Sequence, residues 1–225
     1  MMNVIAIDGP AASGKSSVAT QVAELLDAVH INTGSMYRAI GWKTILAGID
    51  PVQDPDEFQK KISSVQMRFV RNGKGDPELE VDGMFPGELL RSEKASAAAS
   101  KVATIPAVRE RLVELQRQMA GNDLLVMEGR DIGTVVFPDA KYKFFLTASP
   151  EERARRRLLQ DGFQIEPELL KKTAEAIAER DLVDSTRAVS PLKQAEDAIL
   201  VDSSNLTKDE TVQKIIQLIR TKENV

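Results

Sequence analysis

Gly9-Pro10-Ala11-Ala12-Ser13-Gly14-Lys15-Ser16 stands directly after the apolar run Val4–Ile7 and just before apolar residues at helical spacing, Val18, Val22, Ala23 and Leu26. A short β-rich run, a loop with the spacing G-x-x-x-x-G-K-S and a helix start form the strand–loop–helix unit of a phosphate-binding P-loop. Gly9 and Gly14 permit backbone angles that turn successive N–H groups into one concavity. Lys15 can reach the β- and γ-phosphates, the Ser16 hydroxyl can ligate Mg²⁺, and the helix N-terminus favours an anion. The stretch Gly9, Pro10, Ala11, Ala12, Ser13, Gly14, Lys15, Ser16 and Ser17 is therefore expected to hold a nucleoside triphosphate with Mg²⁺, Ser16 being the metal contact.

Short apolar runs continue at Val29–Ile31, Leu124–Glu128, Tyr142–Leu146 and Ile199–Val201. They have the look of strands buried on both faces of a parallel sheet. Helical patterns lie between them at Ser16–Leu26, Tyr37–Leu46, Val102–Met119, Pro150–Leu159, Glu168–Val183 and Lys208–Arg220. The expected fold class is α/β, a doubly wound parallel five-stranded sheet flanked by helices. Periodicity leaves the strand order open. Residues 62–100 break the alternation: Val65–Val70, a Gly73/Gly75 turn and Leu79–Val81 read as an antiparallel hairpin. One P-loop domain over 1–225 is expected, with an inserted β-containing subdomain at about 62–100.

Composition narrows the class of activity. A formal charge of −4 argues against a general nucleic-acid binder, and zero cysteines remove disulfides and thiol chemistry. The opening residues lack the pattern of a signal peptide and no run approaches a membrane span, so the expectation is a soluble, cytoplasmic monomer with no nucleic-acid or membrane partner. At 4% aromatics the core must be aliphatic. His30 reads as structural, and Trp42 and the methionines as packing.

Three charged clusters bear on what the triphosphate is used for. Arg153, Arg156 and Arg157 share a helix face after Ser149-Pro150, either as the arginines of a lid at about 153–165 that closes on ATP or as a solvated face balanced by Glu151 and Glu152. Arg180, Asp184 and Arg187 share an arc away from the apolar stripe of Ala174, Ile177, Ala178 and Leu182. They read equally well as a surface ion-pair ladder or as a ligand clamp. Glu128–Thr134 follows a strand, where ligands of open α/β sheets bind, and puts Arg130 and Asp131 between glycines.

The chain resembles the bacterial cytidylate kinases nearly end to end. The likeness rests on Ile7–Ala11, Thr33–Arg38, Glu128–Pro138 and Arg187–Leu192, and most specifically on Glu128–Pro138. It implies phosphoryl transfer from ATP to CMP and dCMP, with a β-rich insert in the monophosphate-binding region. It further implies Thr33, Arg38, Ser100, Arg109, Arg130, Asp131, Arg180, Asp184 and Arg187 as substrate-binding residues. Arg38, Arg130 and Arg187 take the CMP phosphate, Ser100, Arg109 and Asp131 the cytosine, and Asp184 with Arg180 the sugar. Lys15, Arg153 and Arg157 are expected to be catalytic. Asn32 stands where that family commonly has aspartate, and Asp82–Arg91 is looser than its usual pattern. Rival readings are a kinase for AMP, UMP or another metabolite, a GTPase switch, disfavoured by the lack of Asn-Lys-x-Asp, and a nucleic-acid module, disfavoured by the acidic total.

Overall fold

The computed structural model describes residues 2–73, 77–121 and 123–223. Strands β1 (Met2–Asp8), β2 (Val29–Asn32), β5 (Leu125–Gly129), β6 (Ala140–Thr147) and β7 (Ile199–Asp202) form one sheet in the order β2-β5-β1-β6-β7. β1 pairs parallel with β5 and β6, and β6 with β7. The expected five-stranded parallel α/β sheet is present, and the order that periodicity left open is now defined. The chain divides into two compact units, Met1–His30 with Asn122–Val225, and Ile31–Gly121.

In the first unit the sheet packs on helices α1 (Lys15–Leu25) and α8 (Lys208–Glu223). Ile5, Ile7, Phe144 and Val201 meet Val18, Val22 and Ile215 in a fully buried layer. Burial of each such side chain stabilises the unit by about 1.5–3 kcal/mol. Helices α6 (Pro150–Gln160) and α7 (Pro167–Thr186) pack on each other, and Ala154 and Ile177 close over Ala11.

The second unit is larger than the insert expected at 62–100. It holds α2 (Thr33–Lys43), α3 (Pro55–Ser64), the hairpin β3 (Met67–Arg71) and β4 (Pro77–Val81), α4 (Glu93–Val102) and α5 (Pro106–Gln118). The hairpin is antiparallel as expected, with Phe69 opposite Leu79. Gly75 of its expected turn lies outside the described residues. Met36, Ile40, Phe58, Ile62 and Leu112 form this unit's own core.

Two helix boundaries differ from expectation. The single helix foreseen at Val102–Met119 is broken, because Pro106 cannot donate a backbone hydrogen bond and forces Ile105 extended (φ −87°, ψ 118°). α2 begins four residues before the expected Tyr37, because the Asn32 side chain accepts from Ser35 N (3.0 Å) and caps it. That cap is the local role of the unusual asparagine. The sequence reading missed α3, although Phe58, Ile62 and Val65 recur at helical spacing after Asp54-Pro55.

Candidate active site

β1 ends at Asp8, and the loop from Gly9 delivers Lys15 as the first residue of α1. Gly14 caps the helix at φ +88°, a left-handed conformation natural to glycine. At Gly9 (φ +154°) a Cβ would sit 2.1 Å from the carbonyl oxygen of Leu146, so only glycine lets the loop leave the sheet there. Lys15 is 5% exposed, and its ammonium donates to Pro10 O (2.6 Å) and Ser13 Oγ (3.2 Å). Burial, then the charge of Arg130, pulls its pKa down to about 7 against the opposing pull of Glu128, Asp8 and Asp181.

The arginines of α6 divide into different tasks. Arg153 was expected to face a transferring phosphoryl group. The structure instead buries it beside the loop, where its guanidinium donates to Ala148 O (3.2 Å), Ala11 O (3.0 Å) and Asp181. The Ser149 cap, whose hydroxyl accepts from Glu152 N, starts α6 so that residue 153 points inward. Arg156 donates to Ser13 O (3.1 Å), Ser203 O (2.7 Å) and Glu152 (2.8 Å). Arg157 retains exposure and pairs with Asp161 (2.8 Å). The first part of the lid expected at 153–165 is thus anchored, and the exposed stretch begins after it.

Asp8 is buried and accepts from Ile132 N (2.8 Å) and Gly133 N (2.7 Å), fixing the single π-helical turn Ile132–Val136 that follows β5. Burial pushes its pKa up to about 7 and the Asp131 charge adds to the rise, while the two N–H groups favour the ionised form. Asp131 itself is 5% exposed at the mouth of that turn. His30 rests between Thr20 Oγ1 (3.2 Å) and Glu128 Oε1 (3.8 Å), and its pKa is lowered, chiefly by burial.

Asp184 joins two of the expected phosphate ligands. One carboxylate oxygen accepts from Arg130 Nε (3.0 Å), the other from Arg187 Nη1 (2.9 Å), and Arg187 Nε also donates to Ser190 O (2.7 Å). The Arg130, Asp184 and Arg187 side chains are 21%, 14% and 7% exposed, so the cluster is a partly buried cross-link between α7, the end of β5 and the loop after α7. It is not the solvated ladder that spacing allowed. Arg180, one turn earlier, is exposed. Half of the apolar stripe expected on α7 is kept: Ala174 and Ile177 face inward with Leu170 and Asp181, whereas Ala178 is exposed and Leu182 is 61% exposed.

The second unit carries Thr33, Arg38, Ser100 and Arg109. Thr33 is buried in the first turn of α2, and Arg38 lies half-buried one turn on. Ser100 on α4 donates to Ser96 O (3.2 Å). Arg109 on α5 is 2% exposed, lies 5.3 Å from the Tyr37 ring centroid and donates to Ala103 O (3.3 Å). Among the described residues, no three acidic, histidine or cysteine side chains gather to hold a metal by themselves.

A family model described as cytidylate kinase matches residues 5–221. The chain belongs to the cytidylate kinase family. It is 46% identical over 215 residues to a cytidylate kinase of Pelotomaculum thermopropionicum, an alignment covering 94% of this chain and 93% of that one. It is also 44% identical over 223 residues to a cytidylate kinase of Mycobacterium avium, covering 99% and 97%. A solved structure of an uncharacterized protein from Eubacterium ventriosum superposes over 97% of this chain and 98% of its own with a TM-score of 0.53 and 14% identity, a likeness of fold alone. For this family member, sequence reasoning gave no site role to Asp8 or Asp181 and read Arg156 only as a lid arginine, yet all three hydrogen-bond the site's backbone. Asp8 and Arg156 stand inside motifs already singled out. Asp181 adjoins Arg180 and shares the face of Ala174 and Ile177, but nothing local to it names Ala11 as its partner.

Proposed function

We propose that this chain transfers the γ-phosphoryl group of ATP to CMP, and likewise to dCMP, in the reaction ATP + CMP ⇌ ADP + CDP. The observation that carries the reading is family membership over nearly the whole chain, joined to a P-loop whose lysine is poised on its own loop carbonyl. The acceptor phosphate oxygen is already ionised near neutral pH, so the transfer requires alignment and charge neutralisation rather than a general base. Lys15 exchanges Pro10 O for the β- and γ-phosphates. Ser16, exposed in the first turn of α1, would offer its hydroxyl to a Mg²⁺ carried by the nucleotide, which would neutralise charge on the phosphates.

Arg130 and Arg187, pre-oriented by Asp184, take the acceptor phosphate together with Arg38. Asp184 and Arg180 meet the sugar. Asp131 accepts from the cytosine N4 amino group, and Ser100 and Arg109 serve the N3/O2 edge. Uracil presents a carbonyl where cytosine has that amino group, and a carboxylate facing it is costly. Arg157 and the stretch to residue 165 form the closing segment, residues 62–100 belong to monophosphate binding, and the protein acts as a cytoplasmic monomer. ADP release over a panel of CMP, dCMP, UMP, AMP and dTMP tests the reading. CMP and dCMP are expected to lead; an equal or better rate with AMP or UMP removes the assignment.

A further inference from the structure

We infer that Asp181 is a positioning residue for phosphoryl transfer, a strut that holds the P-loop in register with the arginine cluster around Asp184. Its Oδ1 accepts from the backbone N–H of Ala11 at 2.8 Å, and its Oδ2 pairs with Arg153 Nη1. Arg153 gives that same nitrogen to the carbonyl of Ala11 at 3.0 Å. Both polar groups of one P-loop residue are therefore closed by a carboxylate–guanidinium pair, the carboxylate from α7 and the guanidinium from α6. Ala11 is 6% exposed and packs on Ala154 and Ile177, so the contact is largely shielded from water, where such hydrogen bonds hold best.

The tie matters because of what else that turn of α7 carries. Asp184 lies three residues on, about 4.5 Å along a rigid helix, and holds Arg130 and Arg187 through its two oxygens. One turn thus grips the donor-phosphate loop with one carboxylate and two expected acceptor-phosphate ligands with the next. Ala12 follows Ala11 at φ +56°, and Arg156 holds Ser13 O, so a displacement at Ala11 passes along the loop toward Lys15. Asp181 touches no reacting atom; it acts through the Ala11 peptide.

This inference rests on the proposed transfer reaction, and the experiment separates the two. Wild type is first assayed with the monophosphate panel. Activity on a different acceptor overturns the assignment to CMP while leaving the strut testable with that acceptor. Asp181→Ala, Asp181→Asn and Arg153→Ala are then compared with wild type in kcat, in KM for each nucleotide, in thermal midpoint and in hydrogen exchange at the Ala11–Lys15 amides. Asp181→Asn keeps an acceptor oxygen and serves where Asp181→Ala fails to fold. A strut predicts kcat per folded molecule lower by about 10- to 100-fold, acceptor KM changed less than about threefold, and faster exchange at Ala11. It also predicts a double variant, Asp181→Ala with Arg153→Ala, hardly worse than the poorer single, because the pair acts as a unit. Unchanged kcat in folded variants, with only the thermal midpoint lowered, overturns it, as does unchanged exchange at Ala11.

Discussion

Gly9→Ala is the smallest change that tests whether the loop must leave the sheet where it does. The added Cβ would meet Leu146 O at 2.1 Å, about 1.3 Å inside the 3.4 Å of ordinary contact, with the Leu146 carbonyl carbon at 3.1 Å. The obstacle cannot swing away. Leu146 is fully buried on β6, whose ladders run to β1 on one side and to β7, at Val201, on the other. The start of the P-loop must therefore yield by roughly 1 Å, a misplacement that costs catalysis about 10²-fold, or about 2.7 kcal/mol of transition-state stabilisation. Overpacking also destabilises by about 1–3 kcal/mol, which lowers the thermal midpoint by about 2–4 °C per kcal/mol in a chain of this size. Gly48→Ala is the control: Gly48 sits at φ +85° with nothing within 4 Å of its Cβ position, so that variant suffers backbone strain without a clash. The assay is ADP release in steady state beside thermal unfolding. If Gly9→Ala retains kcat/KM within threefold of wild type, or Gly48→Ala loses as much, the steric argument is wrong.

Lys15→Ala is expected to cut kcat by at least about 10²-fold without lowering the thermal midpoint, since the ammonium it removes is buried against its own solvation; near-normal turnover in steady-state assays would take the lysine out of the mechanism. With the Lys15 pKa near 7 in the free protein, rising pH removes the charge that meets the triphosphate, so kcat/KM for ATP falls by about tenfold per unit above that midpoint. A profile flat from pH 7 to 9 contradicts this. Asp131→Asn removes a charge-assisted acceptor worth roughly 1.5–3 kcal/mol to the cytosine amino group, so the CMP:UMP ratio of kcat/KM falls about 10- to 100-fold; equal weakening of both substrates would show that the base is read elsewhere.

The strand–loop–helix unit, the parallel sheet and the hairpin are legible in the chain itself, because each depends on local periodicity and on glycine or proline at set positions. So was the membership of the charged clusters, though not their partners. What tertiary structure alone decided was direction. The stripe read through Ala174, Ile177, Ala178 and Leu182 spans position 181 without giving its charge a partner; the packed helix leaves Ala178 and Leu182 exposed and seats Asp181 on Ala11. Arg153 and Arg157 are one helical turn apart and look equivalent in sequence, yet one lies buried beside the P-loop and the other faces water with Asp161. The strand order is equally non-local. A helix of mixed composition offers several faces of similar apolar content, and the one that turns inward is chosen by the neighbours it can satisfy. Here an alanine's N–H and carbonyl, held in a loop 170 residues before the aspartate and 142 before the arginine, supply the partners that the two need in order to be buried.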